Sequence, residues 1–283
     1  MSKPIIVKTT DTLLNYLVNN ETGYNRTKLK SLLKNECISV NKKVTTQFNY
    51  PLKENDHIEI VSYNKKAGLS FDIIYEDDDI IVINKVSGIL SVPFENEDKE
   101  TAYDLVNDYV MKTNSKARVH IVHRLDLGTS GVLMFAKDEK IKKQYQDKWN
   151  ELATSRVYIA QVEGVMRKDK DTIITKLNTD KKSNVHSSSK GKQAITHYEV
   201  IERRKDSTLV KVNIETGRQN QIRVHLKEVG HPIVGDKKYG AKTNPIKRIG
   251  LHAYQLKIKH PTTKKLQSFT APIPKVFRIK KVK

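Results

Sequence analysis

The chain has 283 residues, 37% hydrophobic and 30% charged, with 52 Lys plus Arg against 32 Asp plus Glu and a formal net charge of +20. No apolar run approaches the roughly 18 residues of a membrane span, and the first twenty residues carry no signal-peptide pattern. A lone cysteine, Cys37, excludes an intrachain disulfide and a thiolate zinc site, so cytoplasm is the expected compartment. Such a cationic field attracts polyanions and gives a salt-sensitive affinity, which puts nucleic acid ahead of a membrane as partner.

In chain order, residues 1–62 read as a small independent unit. Apolar residues at helical spacing predict helices over 10–18 (Leu13, Leu14, Leu17, Val18) and 26–33 (Leu29, Leu32, Leu33), the second N-capped by Asn25. Its outer face carries Arg26, Lys28 and Lys30. Short strands follow over 38–40, 43–45 and 57–61. Three stretches, Asn25-Arg26-Thr27-Lys28-Leu29, Ile38-Ser39-Val40-Asn41 and Glu54-Asn55-Asp56-His57-Ile58, resemble an S4 domain, a small RNA-binding module. The resemblance implies that Arg26, Lys28 and Lys30 face RNA. Nine basic and six acidic residues give this unit a balance of +3, leaving +17 for the rest. Residues 63–70 read as a linker.

Residues 71–283 form the predicted second domain. It opens on a hairpin, 73–75 and 80–84, around the acidic turn Glu76-Asp77-Asp78-Asp79, read as a solvated turn in preference to a metal cluster. An amphipathic helix is predicted over 101–112 and another over 139–152, which holds the only tryptophan, Trp149. Between them runs the densest stretch of the chain, His123-Arg124-Leu125-Asp126-Leu127-Gly128-Thr129-Ser130-Gly131, flanked by strand candidates 119–122 and 132–136. A bare turn has no need of His123, Arg124 and Asp126 in its first four positions. The glycines permit close backbone approach, and Thr129 and Ser130 are able to hold a carboxylate or phosphate.

Residues 155–164 alternate as a strand, with Arg156, Tyr158, Ala160 and Val162 on one face. Polar, lysine-rich 167–192 reads as loops and short strands. Strands resume over 192–201 and 208–214. A second dense stretch, Thr216-Gly217-Arg218-Gln219-Asn220-Gln221-Ile222-Arg223-Val224-His225, is expected to open a helix ending near Gly230, with Arg223 on the face of Gln219. Gly235-Asp236-x-x-Tyr239-Gly240 is a turn-rich loop. No Walker loop, dinucleotide fingerprint or metal-ligand spacing accompanies the nine histidines.

The nonapeptide matches, position for position, the His-Arg-Leu-Asp-x-x-Thr-Ser-Gly signature of the RluA family of RNA pseudouridine synthases. Lys85-Val86-Ser87-Gly88, Arg156-x-Tyr158-x-Ala160-x-Val162-x-Gly164 and the Thr216–His225 stretch are similar to further elements of that family, with Val86 where proline is common and Asn220 where histidine is usual. The resemblance implies an α+β fold, a mixed, mostly antiparallel sheet with a catalytic cleft, preceded here by the S4-like domain. It implies isomerisation of uridine to pseudouridine without cofactor or metal, in ribosomal RNA first and transfer RNA second, by a monomer. Asp126 is then the catalytic residue, Tyr158 faces the target base and Arg223 pairs with Asp126. Arg124 takes the space the flipped base leaves, with His123 and Arg218 beside the RNA. Two rival readings remain: a non-catalytic RNA-binding or ribosome-assembly factor, and an aspartate-dependent glycosidase, which would want a second carboxylate.

Overall fold

The structure, a computed structural model, describes residues 4–20, 22, 26–34, 37–60, 71–94, 99–111, 114–180 and 183–277, apart from the side chains of Thr27, Lys28, Ser31 and Lys34. The predicted cap Asn25, the Lys28 side chain, the whole predicted linker and the basic tail beyond 277 therefore lie outside the described residues. The chain divides into two compact units, residues 1–70 with 93–105, and 71–92 with 106–283. Assigning 93–105 to the first unit departs from the sequence division, which ran the second domain unbroken from 71.

In the first unit, β1 (Ile5–Ile6), β2 (Asp11–Thr12), α1 (Leu13–Asn19), α2 (Arg26–Lys34), β3 (Ile38–Val40), β4 (Lys43–Val44), β5 (Pro51–Leu52) and β6 (His57–Ile60) follow in order. Strands pair antiparallel as β1-β6-β3-β4, with β2 and β5 as a separate pair. Leu13, Leu14 and Leu17 of α1 meet Leu29, Leu32 and Leu33 of α2 in one core with Ile38 and Ile58. Val18, expected in that core, is exposed; Tyr16 is buried instead, its hydroxyl accepting the Lys8 N–H at 2.9 Å. The Arg26 and Lys30 side chains are exposed on α2.

The second unit is built on one sheet. Its strands are β7 (Asp72–Glu76), β8 (Ile80–Lys85), β9 (His120–Ile121), β10 (Ser130–Ala136), β11 (Ala153–Glu163), β12 (Lys170–Thr179), β13 (Val185–Ser187), β14 (Lys192–Arg203), β15 (Ser207–Ile214), β16 (Leu251–Lys259) and β17 (Leu266–Thr270). Helix α3 (Ala102–Val110) comes after β8, α4 (Glu139–Asp147) and α5 (Trp149–Leu152) after β10, and α6 (Gln221–Glu228) after β15. The order is β13-β12-β14-β15-β11-β16-β10-β8-β7, with β17 on β16 and β9 on β10. All pairings are antiparallel except β10 with β16. The mixed, mostly antiparallel α+β architecture is thus as expected.

Three local expectations change. Residues 170–179 form a regular ten-residue strand: Ile173 and Leu177 are buried while Ile174 faces solvent. The lysines on its solvent face hid that period in the sequence. The helix predicted over 139–152 is broken at Lys148, and Asp138 caps α4 by accepting the Lys140 N–H at 2.7 Å. The helix expected from the Thr216 stretch begins only at Gln221, because Asn220 is left-handed (φ 51°) and the Gln221 carboxamide oxygen accepts the Arg218 N–H at 3.0 Å. Gln219 therefore lies outside the helix.

Topology places the nonapeptide. β10 and β16 pair only at Ser130↔His252 and Gly131↔Ala253. That parallel contact forces the backbones together at Gly131, where φ is +112° and a Cβ would sit 2.1 Å from the Ala253 carbonyl oxygen. Glycine is required there by both φ and space. The loop 123–129 is thereby held at the entry to β10, facing α6.

Candidate active site

A cavity of about 380 Å³ opens between the loop before β10 and the turn before α6, with Asp126, Tyr158, Arg156, Trp149 and Arg223 in its lining. That is within the range of small-ligand pockets. The loop carrying Asp126 is fixed by its backbone. Ser91 Oγ accepts the Leu125 N–H at 2.9 Å and donates to the Leu125 carbonyl at 2.7 Å. The Thr129 N–H closes a turn on the Asp126 carbonyl at 3.0 Å, and Gly88 N–H donates to the Leu127 carbonyl at 2.8 Å. Asp126 is left with its side chain 27% exposed, at the cavity wall.

Arg223, on the first turn of α6, brings the two dense stretches together. Its Nη1 lies 3.3 Å from Asp126 Oδ2. Its stronger partner is one the sequence reading did not single out. Asp236, 1% exposed, accepts from Nε at 2.6 Å and from Nη2 at 2.9 Å, a planar two-point contact. Nη1 also donates to Asn220 Oδ1 at 2.8 Å, and the guanidinium sits 4.8 Å from the centre of the Tyr239 ring. Asn220, in the place of the usual histidine, completes the box by donating to the Tyr239 hydroxyl at 3.0 Å. Burial pulls the Arg223 pKa down, but the hydrogen bonds and charge of Asp236, then Asp126, outweigh it and the net shift is upward. The arrangement is a rigid cation with one N–H edge turned to Asp126.

Tyr158 lies on the cavity side of β11, packed against the core cluster of Ala160, Val162 and Ile222. Burial, helped by the Asp126 charge and opposed by Arg156, pushes its hydroxyl up to about 12, so the phenol is neutral. Arg156, two residues earlier on the same face, is buried and donates to the Glu215 carbonyl, while its Nε has no hydrogen-bond partner among the described residues. Burial lowers its pKa. Arg156 and Trp149 escaped the sequence reading as site residues; the period-two alternation with Tyr158 was the available sign for the first.

The other expected residues divide. Arg124, Arg218 and His123 all line the cavity. Arg124 is exposed, and Arg218 donates from Nε to the Gln193 carbonyl at 2.9 Å. His123 stacks on Trp149 (centroids 5.0 Å apart, 29° between planes), and its Nε2 accepts the Met134 N–H at 3.1 Å. Burial, then the charge of Arg156, pushes it down to about 4, so the ring in the cavity lining is neutral. Ser130 does not present its hydroxyl to a ligand. It is buried between His252 Nδ1 at 2.8 Å and Arg248 Nη2 at 2.7 Å. The acidic turn keeps Asp78 exposed, as expected of a solvated turn, while half-buried Asp77 accepts the Asp79 and Ile80 N–H groups and contacts His260 at 3.1 Å.

Lys85, the lysine of the Lys-x-x-Gly element, is 1% exposed, with Nζ donating to the Val86 and Ile89 carbonyls at 3.0 and 2.8 Å. Burial, then Arg248, lowers it to about 7, while Asp126 raises it. His252 is pushed down to about 4, by burial first, with Arg248 adding to the effect and the Ala271 carbonyl opposing it. The sign for stability follows. The unfolded chain takes up a proton near pH 6.5 that the folded imidazole refuses until about 4. Stability should therefore fall as pH drops through that window, by on the order of 3 kcal/mol at its lower end. Urea unfolding at a series of pH values, on the natural chain and on His252→Gln, checks this; the variant's slope should be shallower.

A carboxylate at a cavity wall, oriented by a clamped guanidinium and faced by a neutral aromatic ring, suits chemistry on a flat base, and the comparisons with known proteins agree. Residues 79–228 match the family model described as RNA pseudouridylate synthase. The chain is 34% identical over 274 residues to an uncharacterised RNA pseudouridine synthase of Bacillus subtilis, covering 92% of this chain and 89% of that one. It is 29% identical to the ribosomal large subunit pseudouridine synthase D of Haemophilus influenzae, covering 90% and 85%. A solved human structure, RNA pseudouridylate synthase domain containing 4, shares the fold at TM-score 0.60 and 22% identity, covering 73% of this chain and 90% of that chain. With the signature residues gathered around one cavity and the match extending over most of the chain, this protein belongs to the RluA-type RNA pseudouridine synthases and is an isomerase.

Proposed function

We propose that the protein converts uridine to pseudouridine in ribosomal RNA of the large subunit, with Asp126 as the catalytic residue. The observation that carries this is the cavity itself, where an Asp126 oxygen 3.3 Å from Arg223 Nη1 and the Tyr158 ring share one lining. The target uridine leaves its stack and enters the cavity with its base against Tyr158 and its glycosidic bond toward Asp126. The glycosidic bond then breaks, the uracil turns, and C5 joins C1′, an exchange of bonds needing no redox partner. Arg223 holds the carboxylate in its direction through the 3.3 Å contact. Exposed Arg124 is positioned to fill the vacated stack, and Arg218 to contact the flanking backbone. The choice of ribosomal RNA draws on relatives that carry that target in their names. The Asp236 carboxylate does not revive a glycosidase, because it is 1% exposed and both its oxygens are engaged by Arg223.

In the first unit, exposed Arg26 and Lys30 on α2 support an RNA-contacting role for the S4-like segment. Pseudouridine mapping of ribosomal and transfer RNA from cells with and without the protein tests the whole reading. Large-subunit positions should lose the modification in its absence; a loss confined to transfer RNA would replace the substrate. For the ring, Tyr158→Phe should keep activity, whereas Tyr158→Ala should lose about 1–3 kcal/mol of stacking, roughly 5- to 160-fold in single-turnover rate. Equal rates for the two variants would remove the stacking role.

A further inference from the structure

Beyond the catalytic cavity, the second unit carries a groove of about 620 Å³ lined by Lys140, Lys143, Lys148, Lys259 and Lys264, with Asp147 and Glu151 as its acidic members. All five lysines are exposed. Among the described residues none of their ammonium groups pairs with a carboxylate, although Lys142 on the same helix does, with Glu139 at 2.8 Å. Lys264 is drawn inward by donating to the Pro261 carbonyl. The lysines come from separate parts of the chain, α4 with its C-cap Lys148 on one side and, on the other, Lys259 at the end of β16 with Lys264 in the β16–β17 connection. Their convergence is a product of the fold and does not follow from one basic run.

The groove also adjoins the cavity. The four-residue helix α5 divides them: Trp149 lines the cavity and stacks on His123, whereas Lys148, Glu151 and Leu152 line the groove. A strand leaving the cavity across Trp149 meets the lysines within one helical turn. Ammonium groups on flexible stems suit a chain of phosphates whose bases are not read, since each is a point charge without directional demand. We infer that this groove is a track for the phosphodiester backbone of RNA flanking the target nucleotide. The inference rests on the RNA-modifying reading above and extends it to a surface outside the cavity.

The test uses the full chain and two fluorescein-labelled probes, a uridine mononucleotide, which fills the cavity alone, and an oligouridylate of about twenty nucleotides, which reaches beyond it. Lys143→Glu/Lys259→Glu should weaken binding of the longer probe at least tenfold in fluorescence anisotropy and leave the shorter one unchanged. The slope of log affinity against log salt for the longer probe should become shallower by about 1.4 or more, the share of two phosphate contacts on a single strand. Lys143→Gln/Lys259→Gln should lie between, and circular dichroism melts should be unaltered. A control reversal of exposed lysines elsewhere, Lys190→Glu/Lys205→Glu, should do much less. Unchanged affinity for the longer probe, equal losses for both probes, or equal losses in the control would each overturn the track. So would displacement of the longer probe by polyglutamate that depends on the groove lysines and matches RNA in affinity, which would assign the groove to an acidic protein. Failure of the natural chain to bind either probe, with no modification lost in the mapping experiment, would instead strike the RNA reading itself.

Discussion

Asp126→Asn is expected to fold, to bind RNA with the affinity of the natural protein, and to form essentially no pseudouridine. The amide is isosteric, its oxygen can still accept from Arg223 Nη1, and the side chain is only partly buried, so stability should change by less than about 1 kcal/mol. What is lost is the ionised carboxylate against the nucleotide. Replacing a group that acts directly on the reacting atoms costs on the order of 10⁴-fold or more in rate. Release of tritium from RNA labelled at uracil C5, followed under single-turnover conditions, measures it alongside a binding isotherm. A variant that works within a few-fold of the natural rate would transfer the chemistry to another group.

The second large effect separates the two carboxylates of Arg223. Arg223→Ala should lose about 10²-fold in single-turnover rate, the scale for removing one oriented charged donor from an active site. It should also lose about 3–5 kcal/mol of stability, because it strands a carboxylate that is 1% exposed. These are different losses with different causes. Adding Asp236→Ala to Arg223→Ala should recover much of the stability, since no unpaired buried charge remains, and none of the rate. Arg223→Lys should fall between, having the charge without the planar two-point contact. Urea unfolding and single-turnover kinetics on the same four proteins decide the matter. If the double variant regained activity with its stability, Arg223 would be a structural residue alone and its 3.3 Å approach to Asp126 incidental. In the converse case, single Arg223→Ala as stable as the natural chain would mean Asp236 has a further partner.

The contrast between those partners marks where sequence reasoning ran out. The pairing of Arg223 with Asp126 was implied by the family resemblance, and the structure does bring Arg223 to Asp126. Yet the shorter, two-point bond goes to Asp236, thirteen residues along in a turn-rich loop to which the sequence reading assigned no site role. Distances of 2.6 and 2.9 Å against 3.3 Å make Asp236 the residue that holds the guanidinium and Asp126 the one to which it is presented. Ser130 erred in the opposite direction. Its hydroxyl has the chemistry of a ligand-binding group, and the parallel contact of β10 with β16 buried it against His252 instead.

By itself the sequence determined what depends on local pattern. The helices of the first unit follow from leucines at helical spacing, β11 from its period-two alternation, and the polyanion-binding character from a charge of +20. The order of polar residues in the nonapeptide was enough to mark the loop that carries Asp126. Tertiary structure alone decided which of many charged residues meet. Asp126 and Arg223 are 97 positions apart in sequence, and the lysines of the flanking groove come from segments more than a hundred residues apart. No local period encodes such meetings. They arise because β10 and β16 are forced into parallel contact at Gly131, which sets the Asp126 loop opposite the first turn of α6, and burial then fixes which groups keep a partner and which are left facing the cavity.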